Sequence, residues 1–155
     1  MVFKSMELGR LSGHTAGRQL LAELYHLQTG GHLPEIAITS RGKPYFLNST
    51  CYFSISHTKS RAFCVLSDKP VGIDAEELDR PVNLGLAEKI LSAKEKAQYD
   101  AAPDKRMALL TFWVLKEAEG KRTGEGICGY PNHTEFDLAD PRVKIIENHL
   151  VAIIE

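Results

Sequence analysis

The sequence predicts an α+β fold, in which helices pack on antiparallel strands, and the order of its segments is the first reason. A helical segment followed by strands fills residues 14–76, and helical segments followed by strands fill residues 84–154. The second reason is that the strand-like segments are short and joined by turns, which is typical of antiparallel sheets. With 155 residues, 43% of them apolar, the chain can bury a sizeable core as one domain or as two small fused halves.

The first part of the chain begins with a brief strand around residues 1–6 and continues into an amphipathic helix. Leucines recur there at helical spacing, which predicts a helix over residues 14–27 that ends at Gly30. A strand is expected over residues 35–39, followed by a turn at 40–44. Three more strands joined by turns are predicted to form an antiparallel meander, at residues 51–57, 61–66 and 71–76.

The second part of the chain is predicted to be helical before it returns to strands. A short helix is expected over residues 84–91. Ser92 then stands as an N-cap with Glu95 three residues later, a capping box that predicts a helix through residue 99. A longer helix is expected from residue 104, because its apolar residues follow helical rather than alternating spacing. The last strands are predicted at residues 134–138, 142–147 and 150–154.

The composition argues against several classes of protein. A net charge of −1 gives no electrostatic reason to expect binding to nucleic acid or to a membrane. No apolar run is long enough to span a bilayer, and the first residues lack the apolar region of a signal peptide. Cys51, Cys64 and Cys128 are scattered and odd in number, so neither a disulfide framework nor a zinc site is indicated. The chain is therefore expected in the reducing cytoplasm.

One stretch of the long helix combines residue types that could carry chemistry. Trp113, Glu117 and Lys121 lie four residues apart, so on a helix they share one face, with Lys116 one residue round. Taken alone, this pattern is more typical of a surface helix whose Glu–Lys pair contributes a few tenths of a kcal/mol. The interpretation changes because a second acidic segment lies about forty residues upstream.

That acidic segment is the predicted strand over residues 71–76. Side chains alternate along a strand, which puts Asp74 and Glu76 on the same face. Two neighbouring carboxylates repel each other unless a cation or a proton lies between them, although an exposed strand end is the simpler reading of one pair. Glu117 would complete a set of oxygen ligands suited to Mg²⁺, which predicts metal-assisted chemistry on a phosphate ester or anhydride.

Two basic residues of the first part could contact an anionic ligand. His57, at a strand end beside Ser56, can donate a hydrogen bond to a phosphate, although a lone histidine is more often a surface or packing residue. Arg18 lies near the start of the first helix, where it could meet an anion, and a solvated position is the simpler expectation for it.

Four sequence blocks together resemble the 4′-phosphopantetheinyl transferases, and more narrowly the surfactin-synthetase-activator (Sfp) type. They occur in the order that the family shows, as G-K-P (42–44), F-S-I-S-H-T (53–58), V-G-I-D-A-E (71–76) and F-W-V-L-K-E-A-E-G-K-R-T-G-E-G-I (112–127). The resemblance implies an α+β pseudo-dimer of two similar halves, residues 1–70 and 71–155, with the active site between them. It also implies a monomer, and a first half that is short by the family's standard.

The resemblance implies an activity as well. The family moves the 4′-phosphopantetheine arm of coenzyme A to a serine of an acyl or peptidyl carrier protein, releases 3′,5′-ADP and depends on Mg²⁺. Such carriers serve fatty-acid, polyketide or nonribosomal peptide synthesis. By position, the catalytic residues would be Glu117 and Lys121, and the metal would be bound by Asp74, Glu76, Glu117 and Glu95. Coenzyme A would be bound by Lys43, Ser56, His57, Lys116 and Arg18.

Two other functions are compatible with the same residues. A magnesium-dependent hydrolase of the coenzyme A pyrophosphate would use the same acids with water as the nucleophile. A catalytically weak or inactive relative would only bind coenzyme A or the carrier protein. A pure binding module has no need for a cluster of mutually repelling acids, which favours an enzyme.

Overall fold

The computed structural model of the chain describes residues 1–126 and 134–155. Ile127 of the fourth block and Cys128 therefore lie outside the described residues. The strands are β1 (Val2–Glu7), β2 (Ile36–Ile38), β3 (Pro44–Phe46), β4 (Tyr52–His57), β5 (Arg61–Ser67), β6 (Gly72–Glu77), β7 (Val143–Ile146) and β8 (His149–Ile154). The helices are α1 (Gly13–Thr29), α2 (Ala87–Ile90), α3 (Ala93–Ala101) and α4 (Lys105–Thr123), with a 3₁₀ turn at Leu84–Leu86. In the described residues no helix is both long and apolar enough to cross a membrane.

Two three-stranded antiparallel sheets form the centre of the fold. One has the order β1-β5-β4 and the other the order β6-β8-β7, so each places its last strand in the middle. In both sheets the long helix lies between the first and second strands along the chain, α1 in one and α4 in the other. Leu20, Leu21 and Leu24 of α1 are buried in one apolar cluster, and Phe112 and Leu115 of α4 in another. The predicted α+β fold is thus confirmed.

Local signals placed the ends of several helices correctly. The Ser12 side chain caps α1, which ends at Gly30 in the left-handed conformation (φ 71°). At the start of α3, Ser92 and Glu95 form the expected capping box, in which each side chain binds the other's backbone N–H. Asp104 caps α4 by accepting a hydrogen bond from the backbone N–H of Met107 at 2.9 Å. These ends are defined by contacts between neighbouring residues, which is why a pattern of a few residues predicts them.

The predicted meander is wrong at its third strand. β4 and β5 pair as expected, but β6 pairs with β8, with Gly72 opposite Ile154. The reason is that β5 already has a partner on each edge, β4 on one and β1 on the other, where Phe3 lies opposite Val65. The chain therefore leaves the first sheet after residue 67 and starts the second.

The predicted strand over residues 134–138 is not present. The backbone there is irregular, and two of its N–H groups bind side chains rather than a neighbouring strand. Phe136 N–H donates to Glu95 Oε1 at 2.9 Å, and Leu138 N–H donates to Gln98 Oε1 at 2.9 Å. A segment whose backbone donors are bound by α3 side chains needs no sheet partner. The short β3, paired with β2, was not predicted as a strand.

The two sheets meet where β4 lies beside β6. Serine side chains make the link: Ser54 Oγ accepts from Ile73 N–H at 3.1 Å, and Ser56 Oγ accepts from Ala75 N–H at 3.2 Å. Both contacts advance in the same direction along the chain, so the two strands run parallel. This junction holds residues of the first sheet against the acidic strand β6.

Gly72 explains how closely α4 packs on β6. A Cβ atom at this position would lie 1.9 Å from the Ala118 carbonyl oxygen and 2.5 Å from the Arg122 backbone nitrogen. Both are helix backbone atoms, which cannot move aside as a flexible side chain can. Glycine at position 72 therefore sets the distance between the helix and the acidic strand.

We expect Gly72→Ala to lower the free energy of unfolding by about 1–3 kcal/mol or more, because it overpacks a buried contact. Urea unfolding of the purified variant would measure this loss. Gly31→Ala is the matched control, because there a Cβ would meet only side-chain atoms, with the Thr29 hydroxyl at 3.3 Å. Equal stability of the two variants would contradict the close packing of α4 on β6.

Candidate active site

Asp74 lies at the centre of the candidate site, on β6 beneath α4. The residue is only 6% exposed. Its Oδ1 accepts hydrogen bonds from Lys121 Nζ at 2.7 Å and from the Ser56 hydroxyl at 3.1 Å. Lys121 Nζ also lies 3.3 Å from Ser56 Oγ, so the three side chains form a closed triangle. β4, β6 and α4 each contribute one member, and the triangle therefore exists only where both sheets meet the helix.

The second carboxylate oxygen of Asp74 has no hydrogen-bond partner in the part of the chain that the structure describes. Oδ2 is buried and accepts no hydrogen bond from any described residue. A buried carboxylate oxygen without a donor is costly, because water no longer solvates it. Oδ2 is thus a buried carboxylate oxygen that can still accept a hydrogen bond or bind a cation.

Glu117 is electrostatically coupled to Asp74 from one turn before Lys121. The pKa of its carboxyl is raised, first by burial and then by the negative charge of Asp74, while Lys121 and Arg80 oppose the shift. A carboxylate with a raised pKa is a stronger base than an exposed one. The raised pKa therefore gives Glu117 more basicity than an exposed glutamate has.

Glu76, the other acid of β6, is held by two donors. Trp113 Nε1 donates to its Oε1 at 3.2 Å, and Arg80 forms an ion pair with the same oxygen. The Arg80 guanidinium also lies 5.7 Å from the centroid of the Trp113 ring. The stripe of α4 predicted from the sequence does face β6, since Trp113 reaches Glu76 and Lys121 reaches Asp74.

The acids fit a divalent cation in part. The orphaned Oδ2 of Asp74 and the raised pKa of Glu117 are both features that a bound cation would relieve. Yet the described residues contain no group of three or more His, Cys, Asp or Glu side chains already placed to hold a metal ion. Glu76 is engaged by Arg80 rather than directed at Asp74. Carboxylates are suitable ligands for a divalent cation, but Glu76 would have to leave Arg80 to bind one.

Glu95 and Lys116 are not brought to this cluster. Lys116 Nζ binds Glu95 at 2.8 Å, and the two side chains are 2% and 0% exposed. Glu95 also accepts the backbone N–H groups of Ser92 and Phe136. Burial lowers the pKa of Lys116, and Glu95 opposes that shift. The structure thus places both side chains in the core, bonded to each other and apart from the Asp74 cluster, where they stabilise the packing of α3 on α4.

Two of the remaining candidates, Lys43 and His57, line two separate depressions. A cavity of about 280 Å³ lies between the β2–β3 turn, β4 and the end of α4, and Lys43 and Lys121 line it. Lys43 donates to the backbone carbonyl of Arg122, and burial lowers its pKa. A wider groove of about 700 Å³ is lined by His57, Glu76 and Arg80.

His57 and Arg18 are placed differently from Ser56. His57 is exposed, and its ring packs against α1 at Gly13, where a Cβ would come within 2.4 Å of it. Arg18 is half-buried on the same helix. Ser56 is 6% exposed and its hydroxyl is engaged by Asp74, Ala75 and Lys121, so it faces the acids rather than the groove.

Arg80 is the site residue that the sequence interpretation missed. It follows β6 in a turn, where neither helical nor strand spacing predicts which side chain it will meet. Its position four residues after Glu76 is a known ion-pair spacing, but only for a helix. Ser54 was missed for a similar reason, because its role is to bind a strand 19 residues away.

A pair of serine variants would separate the stability of the sheet junction from its role in the site. We expect Ser54→Ala and Ser56→Ala each to lower the free energy of unfolding by about 1–3 kcal/mol, because each leaves one buried N–H without its acceptor. Only Ser56→Ala should also lower activity, because only that hydroxyl touches Asp74 and Lys121. Chemical denaturation would measure the stability of both variants, and modification of a carrier protein would measure their activity. An equal loss of activity in the two variants would contradict a specific role for Ser56.

Comparison with known proteins identifies the family. The 4′-phosphopantetheinyl transferase superfamily model matches residues 70–152, more than half of the chain. The 4′-phosphopantetheinyl transferase psf-1 of Bacillus pumilus is 33% identical over 120 residues, which cover 76% of this chain and 50% of that protein. The 4′-phosphopantetheinyl transferase HetI of Nostoc sp. is 32% identical over 128 residues, 74% of this chain and 52% of that one.

A third relative gives the same result. The 4′-phosphopantetheinyl transferase of Bacillus subtilis is 29% identical over 120 residues, which cover 76% of this chain and 52% of that protein. The chain thus spans about half the length of the curated relatives it matches. The superfamily match and these relatives agree with the four sequence blocks, and the chain belongs to the 4′-phosphopantetheinyl transferase superfamily.

Proposed function

We propose that this chain transfers the 4′-phosphopantetheine arm of coenzyme A to a serine of an acyl or peptidyl carrier protein and releases 3′,5′-ADP. The observation that carries the proposal is the cluster in which Asp74, Ser56 and Lys121 meet beside Glu117, with one oxygen of Asp74 left without a donor from residues 1–126 and 134–155. Membership of the superfamily supports the choice of reaction.

The chain's own residues can perform two parts of this transfer. Lys121 lies at the wall of the cavity and at the acid cluster, so its ammonium can neutralise negative charge that develops on a phosphoryl oxygen. Glu117, with its raised pKa, can accept the proton of the attacking serine hydroxyl. Ser56 acts on Asp74 rather than on the substrate, because its hydroxyl orients that carboxylate.

Asp74, Glu76 and Glu117 are the residues that would hold Mg²⁺. When bound, the cation would supply charge neutralisation for the pyrophosphate, which is the usual role of magnesium on phosphate esters. Glu95 is left out of this set, since its carboxylate is sealed in the core with Lys116.

Coenzyme A would lie along the two depressions that flank the acids. Lys43 and Lys121 supply positive charge at the smaller cavity, and His57 lines the larger groove. Arg18, half-buried on the helix against which His57 packs, is a further basic group for an anionic substrate. Lys116 has no part in this binding, because its ammonium is buried against Glu95.

We also infer that residues 1–70 and 71–155 are two related halves within a monomer. Support comes from the strand order, since each sheet places its last strand between the other two. Cys51 and Cys64 are free thiols among the described residues, in keeping with the inferred cytoplasmic location.

The decisive experiment is the intact mass of apo acyl and peptidyl carrier proteins after incubation with this chain, coenzyme A and Mg²⁺. We expect a mass gain equal to one phosphopantetheine group, lost with EDTA and in Glu117→Gln. Glu88→Gln is the matched control, because Glu88 is an exposed acid on α2 that pairs with Lys96. Cleavage of coenzyme A without modification of any carrier would point to the hydrolase, and binding of coenzyme A without either reaction to a binding module.

A further inference from the structure

Arg80 has no part in the transfer described above, yet it binds an acid that the cation site needs. Its guanidinium pairs with Glu76 Oε1, the same oxygen that accepts the Trp113 indole N–H at 3.2 Å. That oxygen therefore has two donors. A divalent cation that takes Glu76 as a ligand there competes with the Arg80 guanidinium for the same negative charge.

The neighbouring acid shows the opposite condition. Asp74 is 6% exposed, and its Oδ2 is buried without a donor among the described residues. Lys121 binds only the other oxygen of Asp74 in the described contacts. Asp74 therefore has a buried oxygen without a donor among the described residues. The charge of the more exposed acid, Glu76, is already balanced by Arg80.

We propose that Arg80 is an internal counter-cation that competes with a divalent cation for Glu76 and thereby sets how tightly the acidic site binds metal. This inference rests on the proposed function only for the choice of Asp74, Glu76 and Glu117 as the cation site. The side chain of Arg80 is 42% exposed and that of Glu76 18% exposed, so Arg80 is the partner that can move away. It has room to do so, because it lines the groove of about 700 Å³.

Trp113 offers a direct reading of this exchange. It is the only tryptophan in the chain, its indole N–H is bonded to Glu76, and the Arg80 guanidinium lies over its ring. In a ¹⁵N–¹H spectrum of labelled protein it gives a single indole cross-peak. Displacement of Arg80 from Glu76 changes the charge at the acceptor of the indole N–H and the charge over the indole ring. The cross-peak therefore moves, and Mg²⁺ binding can be followed without measuring enzyme turnover.

The experiment is a Mg²⁺ titration of the full chain at constant ionic strength, followed by the indole cross-peak. Because a partly exposed ion pair is weak, we expect Arg80→Met to bind Mg²⁺ about two- to fivefold more tightly than the wild type. Arg80→Lys should fall between them, since its ammonium keeps the charge without the planar fork. Arg142→Met is the matched control, because Arg142 also pairs with an acid, Asp140, and lies 5.6 Å from a ring centroid, that of Phe136.

The outcomes separate the two proposals. A wild-type titration that disappears in Asp74→Asn, with an unchanged or weaker midpoint in Arg80→Met, would overturn the role of Arg80 and leave the cation site standing. No response to Mg²⁺ in any variant, with no Mg²⁺ uptake by calorimetry, would overturn both. Equally tighter Mg²⁺ binding by Arg80→Met and Arg142→Met would show that the effect comes from the net charge of the protein. That result would also refute competition for Glu76.

Discussion

Asp74→Asn is expected to lower the rate of carrier modification by at least about 10²–10³-fold, the loss typical of removing one preorganised electrostatic group from an active site. The substitution keeps the shape of the side chain and an oxygen that can accept from Ser56 and Lys121. It removes the negative charge, and with it the buried oxygen that a cation would bind. Turnover at saturating coenzyme A and Mg²⁺ would measure the loss.

The stability of Asp74→Asn is the check on this prediction. We expect the free energy of unfolding to stay within about 1 kcal/mol of the wild type, because Lys121 is partly exposed and can be solvated. Asp100→Asn is the matched control, since Asp100 pairs with Lys96 at 2.8 Å on the surface of α3, away from the cluster. Activity within tenfold of the wild type in Asp74→Asn would remove Asp74 from the site.

Glu95→Gln is expected to have the largest effect on stability. It leaves the ammonium of Lys116, which is 2% exposed, without a countercharge in the core. Breaking a buried ion pair from one side costs about 3–5 kcal/mol, because the remaining charge stays desolvated. The midpoint of urea unfolding should therefore fall sharply, whether or not Mg²⁺ or coenzyme A is present.

The double variant Glu95→Gln/Lys116→Met tests the same pair from the other direction. Removal of both charges should restore much of the lost stability, since a buried ion pair contributes little over an apolar replacement. Glu88→Gln, which alters a partner of Lys96 at the surface, should leave the unfolding curve unchanged. If Glu95→Gln kept wild-type stability but lost Mg²⁺-dependent activity, the metal role first expected for Glu95 would be restored.

Much of the local structure was readable from short patterns. The leucine spacing of α1, the capping box at Ser92 and the break at Gly30 each depend on residues within a few positions of one another. The placement of Asp74 and Glu76 on one strand, and of Trp113 and Lys121 on one helix face, follows from the strand and helix periods. The facing of these two groups was an inference from chemistry, and the contacts of Lys121 and Trp113 with β6 agree with it.

Lys116 and Glu117 show where such reasoning ends. They are adjacent in sequence, and both are charged residues of the same motif. A turn of about 100° around α4 sends Glu117 towards Asp74 and Lys116 into the core against Glu95. The motif predicts that both residues matter, but only the packing of α3 against α4 decides that Lys116 pairs with Glu95 in the core.

The amino-acid sequence by itself determined the family, the helices and most strands, and the placement of Asp74 and Glu76 on one face of a strand, because these depend on local spacing and on residue type. The tertiary structure alone decided that β6 leaves the first sheet, that serine hydroxyls join the two sheets and that Arg80 covers Glu76. Each of these features depends on which strand edge, hydrogen-bond donor or charged side chain is still unpaired after the other contacts have formed. Such competition is settled in the folded chain, where burial makes every unpaired edge and charge costly.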